Sequence, residues 1–517
     1  MMLLNNQRDN FYYIKKYGSQ ILAICIILES TFFYSFPNIL GSLVCYYGWW
    51  LFKHIVFKKE NFQTYFLPTL AITGYIIMYY VLPIIVTLIE FKPLTFNFEV
   101  PIIFWFNQFL NISCIILAYH WSKSRFHVNN CITFIWKKLG YFLVPTDKQI
   151  WTFGFLGLLA LIYNVINQTT LESYEDMQTG ATGGFINSVI TTIQGLSIMP
   201  LWFFFREYYG SYKKIANRKT IIIYTALILL LSIATTKRSL IIYPIFSLFI
   251  IYIIDAIINN KQIISKKKLF FTILSIILLS GPITDLALAM SLNRHNIKGS
   301  DTLKEVLELY NDKEKLYKLK QTLSVFAGMN IANNDEGWSE YYVDNIFLDR
   351  FCNLRVQDAT IYYAKKLGYD NREMHQFAKD FIIFRIPTFI TDILGEKKVV
   401  LTSPADKIYE NYFNVPNFIG QKVGGDIGIG LYWLGYKYYV FAIIIYFFTF
   451  YFLGSITTCK NYHNVIPIPI LCSLSSYFLF FINSQGIFRS INLLLRSGIQ
   501  GIIIYCFIFF IIRKFIK

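Results

Sequence analysis

Residues 221–234 read IIIYTALILLLSIA and residues 269–280 read LFFTILSIILLS, runs without a charged side chain that suit lipid better than the interior of a soluble domain. Residues 301–321, DTLKEVLELYNDKEKLYKLKQ, and 334–376, NDEGWSEYYVDNIFLDRFCNLRVQDATIYYAKKLGYDNREMHQ, belong to water. From about Met290 to Gly430 the chain is polar, and on both sides of that stretch one apolar run follows another. The composition agrees, with 55% hydrophobic, 19% aromatic and only 15% charged residues against about 25% charged in soluble domains. The fold class read from this is all-α: a polytopic membrane protein with about twelve transmembrane helices and one large, mainly helical periplasmic loop.

The expected spans fall near 19–36, 39–57, 64–89, 101–120, 149–168, 183–205, 220–235, 239–258, 269–289, 432–457, 465–483 and 497–512. They divide the chain into residues 1–289 with the first nine helices, the loop at 290–430, and residues 431–517 with the last three. Pro68 and Pro83 remove backbone donors inside the third span and predict a kink there. In the loop, Asp301 to Gln321, Gln357 to Leu367 and Arg372 to Ile386 carry helical patterns, the last stopped by Pro387. Residues 380–394, DFIIFRIPTFITDIL, are apolar but too short and interrupted to span, and suit a membrane surface or a cavity. The N-terminus, MMLLNNQRDNFYYIKK, has no cleavable-signal pattern, so the first helix is expected to stay in the membrane.

The net charge of +17 is a question of sidedness before it is one of partners. Alternate short loops collect Lys58, Lys59, Lys213, Lys214, Lys266, Lys267, Lys268, Arg513 and Lys514, whereas the opposite ones hold only Lys92, Lys237, Arg238, Arg489 and Arg496. The positive-inside rule then puts both termini in the cytoplasm and the large loop outside, and no nucleic acid is needed to explain the charge. Seven of the 8 cysteines lie in or beside apolar segments and Cys352 stands alone in the loop, so neither a disulfide framework nor a zinc site is expected. No phosphate-binding glycine loop for a nucleotide and no acidic metal motif occurs, and ESYEDM at 172–177 reads as a solvated loop.

The basic residues that break the charge pattern are the candidates for chemistry. Lys237 and Arg238 sit in a tight turn, TTKRSL, and Arg489 and Arg496 flank SINLLL at the outer entrance to the last helix. An arginine at membrane depth costs about 2.5 to 3.5 kcal/mol, so it faces a partner or a wet cavity unless it snorkels to lipid phosphate. The loop adds Arg294 beside His295, Arg350 and Arg355 in DRFCNLRVQD, and Arg385 in an apolar setting. The planar guanidinium fork matches phosphate oxygens, so arginines facing the outer leaflet suit a lipid diphosphate; Arg350 and Arg355 could instead pair with Asp349 or Asp358. His295, Asp358, His375 and Asp426 are the acid or base candidates, and Trp338, Tyr341, Tyr342 and Tyr412 are aromatics able to stack on sugar rings or to pack.

The layout, TTKRSLIIYPI at 235–245 before the loop, and VGGDIGIGLYWLGYKYYVFAIIIYFF at 423–448 after it resemble the Wzy-type O-antigen and capsule repeat-unit polymerases. Asp426 stands where that family often has Glu, and Lys237-Arg238 takes the place of a small-residue-rich Arg turn. The resemblance implies a metal-independent, GT-C-like glycosyltransferase in the bacterial inner membrane, needing no cofactor. It would move a growing glycan from undecaprenyl diphosphate to a second lipid-linked repeat unit, with membrane lipid around it and a chain-length regulator protein as a further partner. On that reading Arg238, Arg350, Arg355, Arg385 and Arg489 hold the diphosphate. Lys237, Arg294, Arg496, Trp338 and Tyr341 contact substrate, and Asp426 or His295 is the base. An O-antigen ligase, with the same donor and another acceptor, and a lipid-linked oligosaccharide flippase are the alternatives. The large loop and the scarcity of intramembrane charge, limited to Glu29, Asp255 and Asp285, favour catalysis over transport.

Overall fold

The computed structural model describes residues 9–128, 130–166, 189–190, 192–211, 218–234, 239–261, 308–312, 314–315, 341–343, 346–386, 388–396, 398–399, 402–415, 424–460, 463–482 and 485–516. Helices dominate them, and the two three-residue strands Thr458–Lys460 and His463–Val465 are the only extended elements among the described residues. Among the described residues four helices are long and apolar enough to cross a membrane: Phe66–Ile89, Pro101–Arg125, Asp426–Ser455 and Ile487–Phe515. Shorter apolar helices cover Lys219–Leu231 and Tyr243–Ile258.

Four of the expected spans are thus matched, and several others take a different form. The run at 465–483 is not one helix: Pro467 caps and Pro469 opens the short helix Ile468–Cys472, the chain leaves helical geometry at Ser473, and Leu474–Phe478 and turns follow. The described part of 183–205 ends in a 3-10 helix, Leu196–Tyr209, that contains Pro200 and loses helical geometry at Phe205. The second apolar run is the helix Phe36–Leu51, widened at its end into the π turn Phe52–Val56. The expected span at 269–289 lies outside the described residues, as does nearly all of the helix expected from Asp301 to Gln321.

The kink expected from Pro83 has a specific shape. Pro83 cannot donate to the carbonyl one turn earlier, and the chain answers with a π turn, Ile77–Val81, immediately before Leu82–Ile89. A third π turn, Leu493–Ser497, separates Ile487–Asn492 from the long helix Gly498–Phe515.

The chain groups into two compact units, each built from non-contiguous segments. One comprises Met1–Phe134, Asn330–Tyr462 and Tyr477–Gln500, and the other Ile135–Met329, His463–Ser476 and Gly501–Lys517. In the first unit Pro101–Arg125 packs along Tyr438–Ser455, with Trp121 against Phe447 at 4.4 Å between ring centroids and the Tyr439 hydroxyl donating to Asn107 Oδ1 at 2.6 Å. In the second, Asp147–Ile166 packs on Leu196–Tyr209. Tyr224 Oη lies 2.7 Å from the carbonyls of Gly154 and Ser197, and Arg206 donates to both Asp147 oxygens at 2.9 and 3.1 Å. Each pairing satisfies a polar group that lipid or protein interior would leave without water.

Candidate functional site

The helix Arg372–Arg385 organises the loop residues of the first unit. Asn371 caps it by accepting from the backbone N–H groups of Glu373 and Met374, a contribution of about 1 kcal/mol, and it stops at Ile386 because Pro387 follows. Met374, Phe377, Ala378 and Phe381 form its buried stripe. Phe381 and Phe377 meet Phe488 at 4.9 and 5.9 Å, and Phe488 in turn stacks on Trp433 at 5.0 Å. That aromatic contact joins the helix Arg372–Arg385 to the helix carrying Arg489.

Basic side chains converge at the C-terminal end of this arrangement. Arg385 lies over the rings of Phe381 and Phe384, at 4.8 and 5.3 Å. Arg496 donates to the carbonyl of Phe384 at 3.4 Å and to Gln500 Oε1 at 3.0 Å. Lys398 donates to the carbonyl of Ile386 at 2.6 Å and lies 6.0 Å from the Phe384 ring centre. Burial, with the nearby Arg496 charge reinforcing it, pulls the Lys398 ammonium below its ordinary range. Among the described residues neither Arg496 nor Lys398 meets a carboxylate at ion-pair distance. Arg489 is held by the carbonyls of Leu479 and Phe480, at 3.0 and 2.8 Å, and lies over the Phe480 ring. Arg496 and Lys398 are thus oriented by neutral oxygens, an arrangement that holds them in place without cancelling their charge.

Arg355 is used differently. It is 2% exposed and donates to Asp358 at 2.8 Å and to Glu99 at 3.0 Å, so the pairing with Asp358 considered from sequence is what the structure contains. Asp358 also accepts from the backbone N–H groups of Glu99 and Val100, at 2.7 and 3.0 Å. Burial pushes its carboxyl up to about 6, and the backbone donors and Arg355 keep it from rising further. The cluster ties the start of Arg355–Leu367 to the N-terminus of Pro101–Arg125.

Asp426 begins the helix Asp426–Leu434 and is 5% exposed. Its Oδ2 accepts from the Tyr446 hydroxyl at 2.5 Å, and Tyr446 lies 3.5 Å from the Tyr438 hydroxyl. Two glycines permit this burial. A Cβ on Gly428 would come 2.5 Å from the backbone of Thr360, so only glycine lets Arg355–Leu367 approach. Gly486 adopts φ +55°, ψ −140°, and a Cβ there would lie 2.8 Å from Asp426 Oδ1. Among the described residues Asp426 shares no hydrogen bond with an arginine.

The other sequence candidates are placed as follows. Tyr341 accepts from Lys92 Nζ at 3.1 Å through its hydroxyl and from Asn97 at 2.9 Å through its carbonyl, while Tyr342 is fully buried and donates to the Leu94 carbonyl. Tyr412 packs on Tyr363 at 4.5 Å. His375 meets Asp370 at 2.7 Å on an exposed surface, where Lys437 also bonds Asp370, and together these partners hold the Asp370 carboxyl below its usual range. Arg350 belongs to the helix Ile346–Cys352, whereas Lys237, Arg238, Arg294, His295 and Trp338 lie outside the described residues. Arg385 and Arg496 are thus brought to a common group, with Arg489 joined to it through the Phe381–Phe488 contact, and Asp426 and Arg355 stand apart from it. Sequence reasoning missed Lys398, which in GEKKVV at 395–400 resembles any loop lysine. It also missed Glu99, whose partner lies far along the chain. No family model, curated protein or solved structure matches this chain.

Proposed function

We propose that this protein is a membrane glycosyltransferase of the repeat-unit polymerase type, working at the outer face of a bacterial inner membrane on undecaprenyl-diphosphate-linked oligosaccharides. The observation that supports it best is the group formed by Arg385, Arg496 and Lys398, held by carbonyls and aromatic faces. A lipid diphosphate has the complementary charge. The donor is already activated, so catalysis reduces to holding two lipid-anchored substrates and stabilising the departing diphosphate.

Depth and polarity agree with that role. Gly498–Phe515 has 18 residues, about 27 Å of helix, which crosses most of a hydrocarbon core and leaves Arg496 at one interface. On this reading Arg513 and Lys514 at the other end face the cytoplasm, as the positive-inside rule expects. The segment carrying Lys398 leaves Ile393, Leu394 and Val399 exposed, apolar surface suited to an isoprenoid tail. Arg355 acts here as a brace, and Asp426 as a buried positioning residue.

The test is surface-glycan length in cells lacking this protein, complemented with wild type or Arg496→Ala. Polymerisation predicts a ladder with wild type and a single attached repeat unit with the variant at normal abundance. A full ladder without the protein, or with the variant, would sink the reading. Loss of all attached glycan with lipid-linked polymer accumulating would assign a ligase instead.

A further inference from the structure

At the other end of the Arg372–Arg385 helix the surface opens into a cavity of about 380 Å³. Its walls come from the helix start, at Asn371 and Glu373, and from the helix Pro404–Phe413 and the residue after it, at Lys407, Asn411 and Asn414. A volume in this range holds a small ligand. The chemistry of the walls says which kind.

Lys407 lies 3.1 Å from Glu410 and 3.4 Å from Glu373, so its single charge is set against two carboxylates and the cavity repels anions. The same ammonium stands where a metal cation between those carboxylates would sit. The amides carry unspent hydrogen-bonding capacity of both kinds. Asn411 donates to Tyr432 Oη at 2.7 Å, which leaves its carbonyl to accept. Asn371 uses its carbonyl on the helix cap, which leaves its NH2 to donate, and the Asn414 side chain bonds no described residue. Donors and acceptors set side by side around a shallow hollow that repels anions match a ligand whose hydroxyls do both at once.

We infer that this cavity binds the saccharide portion of a lipid-linked substrate, a neutral and hydroxyl-rich glycan. The inference rests on the glycosyltransferase reading and adds where the sugar lies. The 14-residue helix Arg372–Arg385 sets the cavity about 20 Å from the cationic group, so glycan and diphosphate are held at separate points of one rigid element.

The experiment uses the full chain purified in detergent. The probe is the oligosaccharide released by mild acid from the lipid-linked intermediates of the host cells, titrated by saturation-transfer NMR. Wild type should bind it saturably, saturating inorganic pyrophosphate should not displace it, and Glu410→Gln and Glu373→Gln should each weaken binding roughly tenfold. Glu373 is exposed, so its variant decides the matter if the Glu410 variant misfolds. Absence of saturable binding to wild type, displacement by pyrophosphate, or a Glu373→Gln variant that binds as wild type overturns the assignment. Saturable, variant-sensitive binding together with a full surface ladder in Arg496→Ala cells would keep the cavity and remove the polymerase reading. The reverse pattern would remove the cavity alone.

Discussion

Arg355 and Arg496 are the same residue in opposite employment. Arg355 is buried against two carboxylates and fixes one segment to another. Arg496 is held by a carbonyl and an amide, beside a lysine, with no carboxylate among the described residues to cancel it. A neutralised guanidinium braces the fold, and one oriented by neutral oxygens keeps its charge for the proposed diphosphate. The distinction depends on what lies across space from each arginine.

The comparison breaks most directly at Arg355. Arg355→Ala strands the buried Asp358 carboxylate, and about 3 to 5 kcal/mol of stability should go with it. Membrane abundance and thermal unfolding in detergent check this, and normal abundance would mean that the pair is not a brace. Arg496→Ala should do the reverse. An ionic contact at about 4 Å and an effective dielectric near 20 is worth about 4 kcal/mol, so polymer formation should fall roughly a thousandfold. Unfolding temperature should stay near wild type; a variant that loses both together makes Arg496 a structural residue.

Gly486→Ala probes the contact behind Asp426. The backbone conformation and the close carboxylate together should cost about 1 to 3 kcal/mol or more, read as a lower unfolding temperature, with a smaller loss in the double variant Gly486→Ala/Asp426→Ala. The smallest expected effect is one of pH. The Asp358 carboxyl keeps its proton to about 6 when folded but only to about 3.8 when unfolded, so its contribution to stability is complete below 3.8 and lost as pH rises through 6. Wild type should therefore gain in unfolding temperature over Asp358→Asn as pH is lowered from 7.5 to 5. A gain in the opposite direction would mean that the pair with Arg355 outweighs desolvation.

Much of the helical architecture was legible because lipid and water impose different patterns on a sequence. The stop at Ile386 and the disturbance before Pro83 follow from the missing proline N–H and were readable for that reason. The fate of 465–483 was less so, because uniform apolar content hides that one short helix ends at Ser473 and another starts at Leu474. Within the site, residue type pointed to arginine as the useful chemistry but could not separate Arg355 from Arg496. Glu99 is distant in sequence from Arg355, and the carbonyl oxygens that orient Arg496, Lys398 and Arg489 belong to every residue alike. Neither leaves a mark in one chain. The cavity beside Asn371 was unreadable for a similar reason, since Glu373, Lys407 and Asn411 look like ordinary surface polarity until two helices face each other.

The π turn Leu493–Ser497 acts on the arginines like a shifted tooth in a gear. Arg489 and Arg496 stand one heptad apart, and a regular helix would present both on nearly the same face, within about 20°. The widened turn begins after Arg489, contains Arg496 itself and absorbs an extra residue, so one guanidinium is aimed at the carbonyls of Leu479 and Phe480 and the other at Phe384. A turn that absorbs one residue leaves the helix beyond it in the phase of a chain one residue shorter, so the two arginines diverge roughly as residues six apart on a regular helix do, by about 120°. The spacing of charges along this chain is therefore not a fixed ruler: two arginines a heptad apart in sequence face different partners because the turn at Leu493–Ser497 is wide.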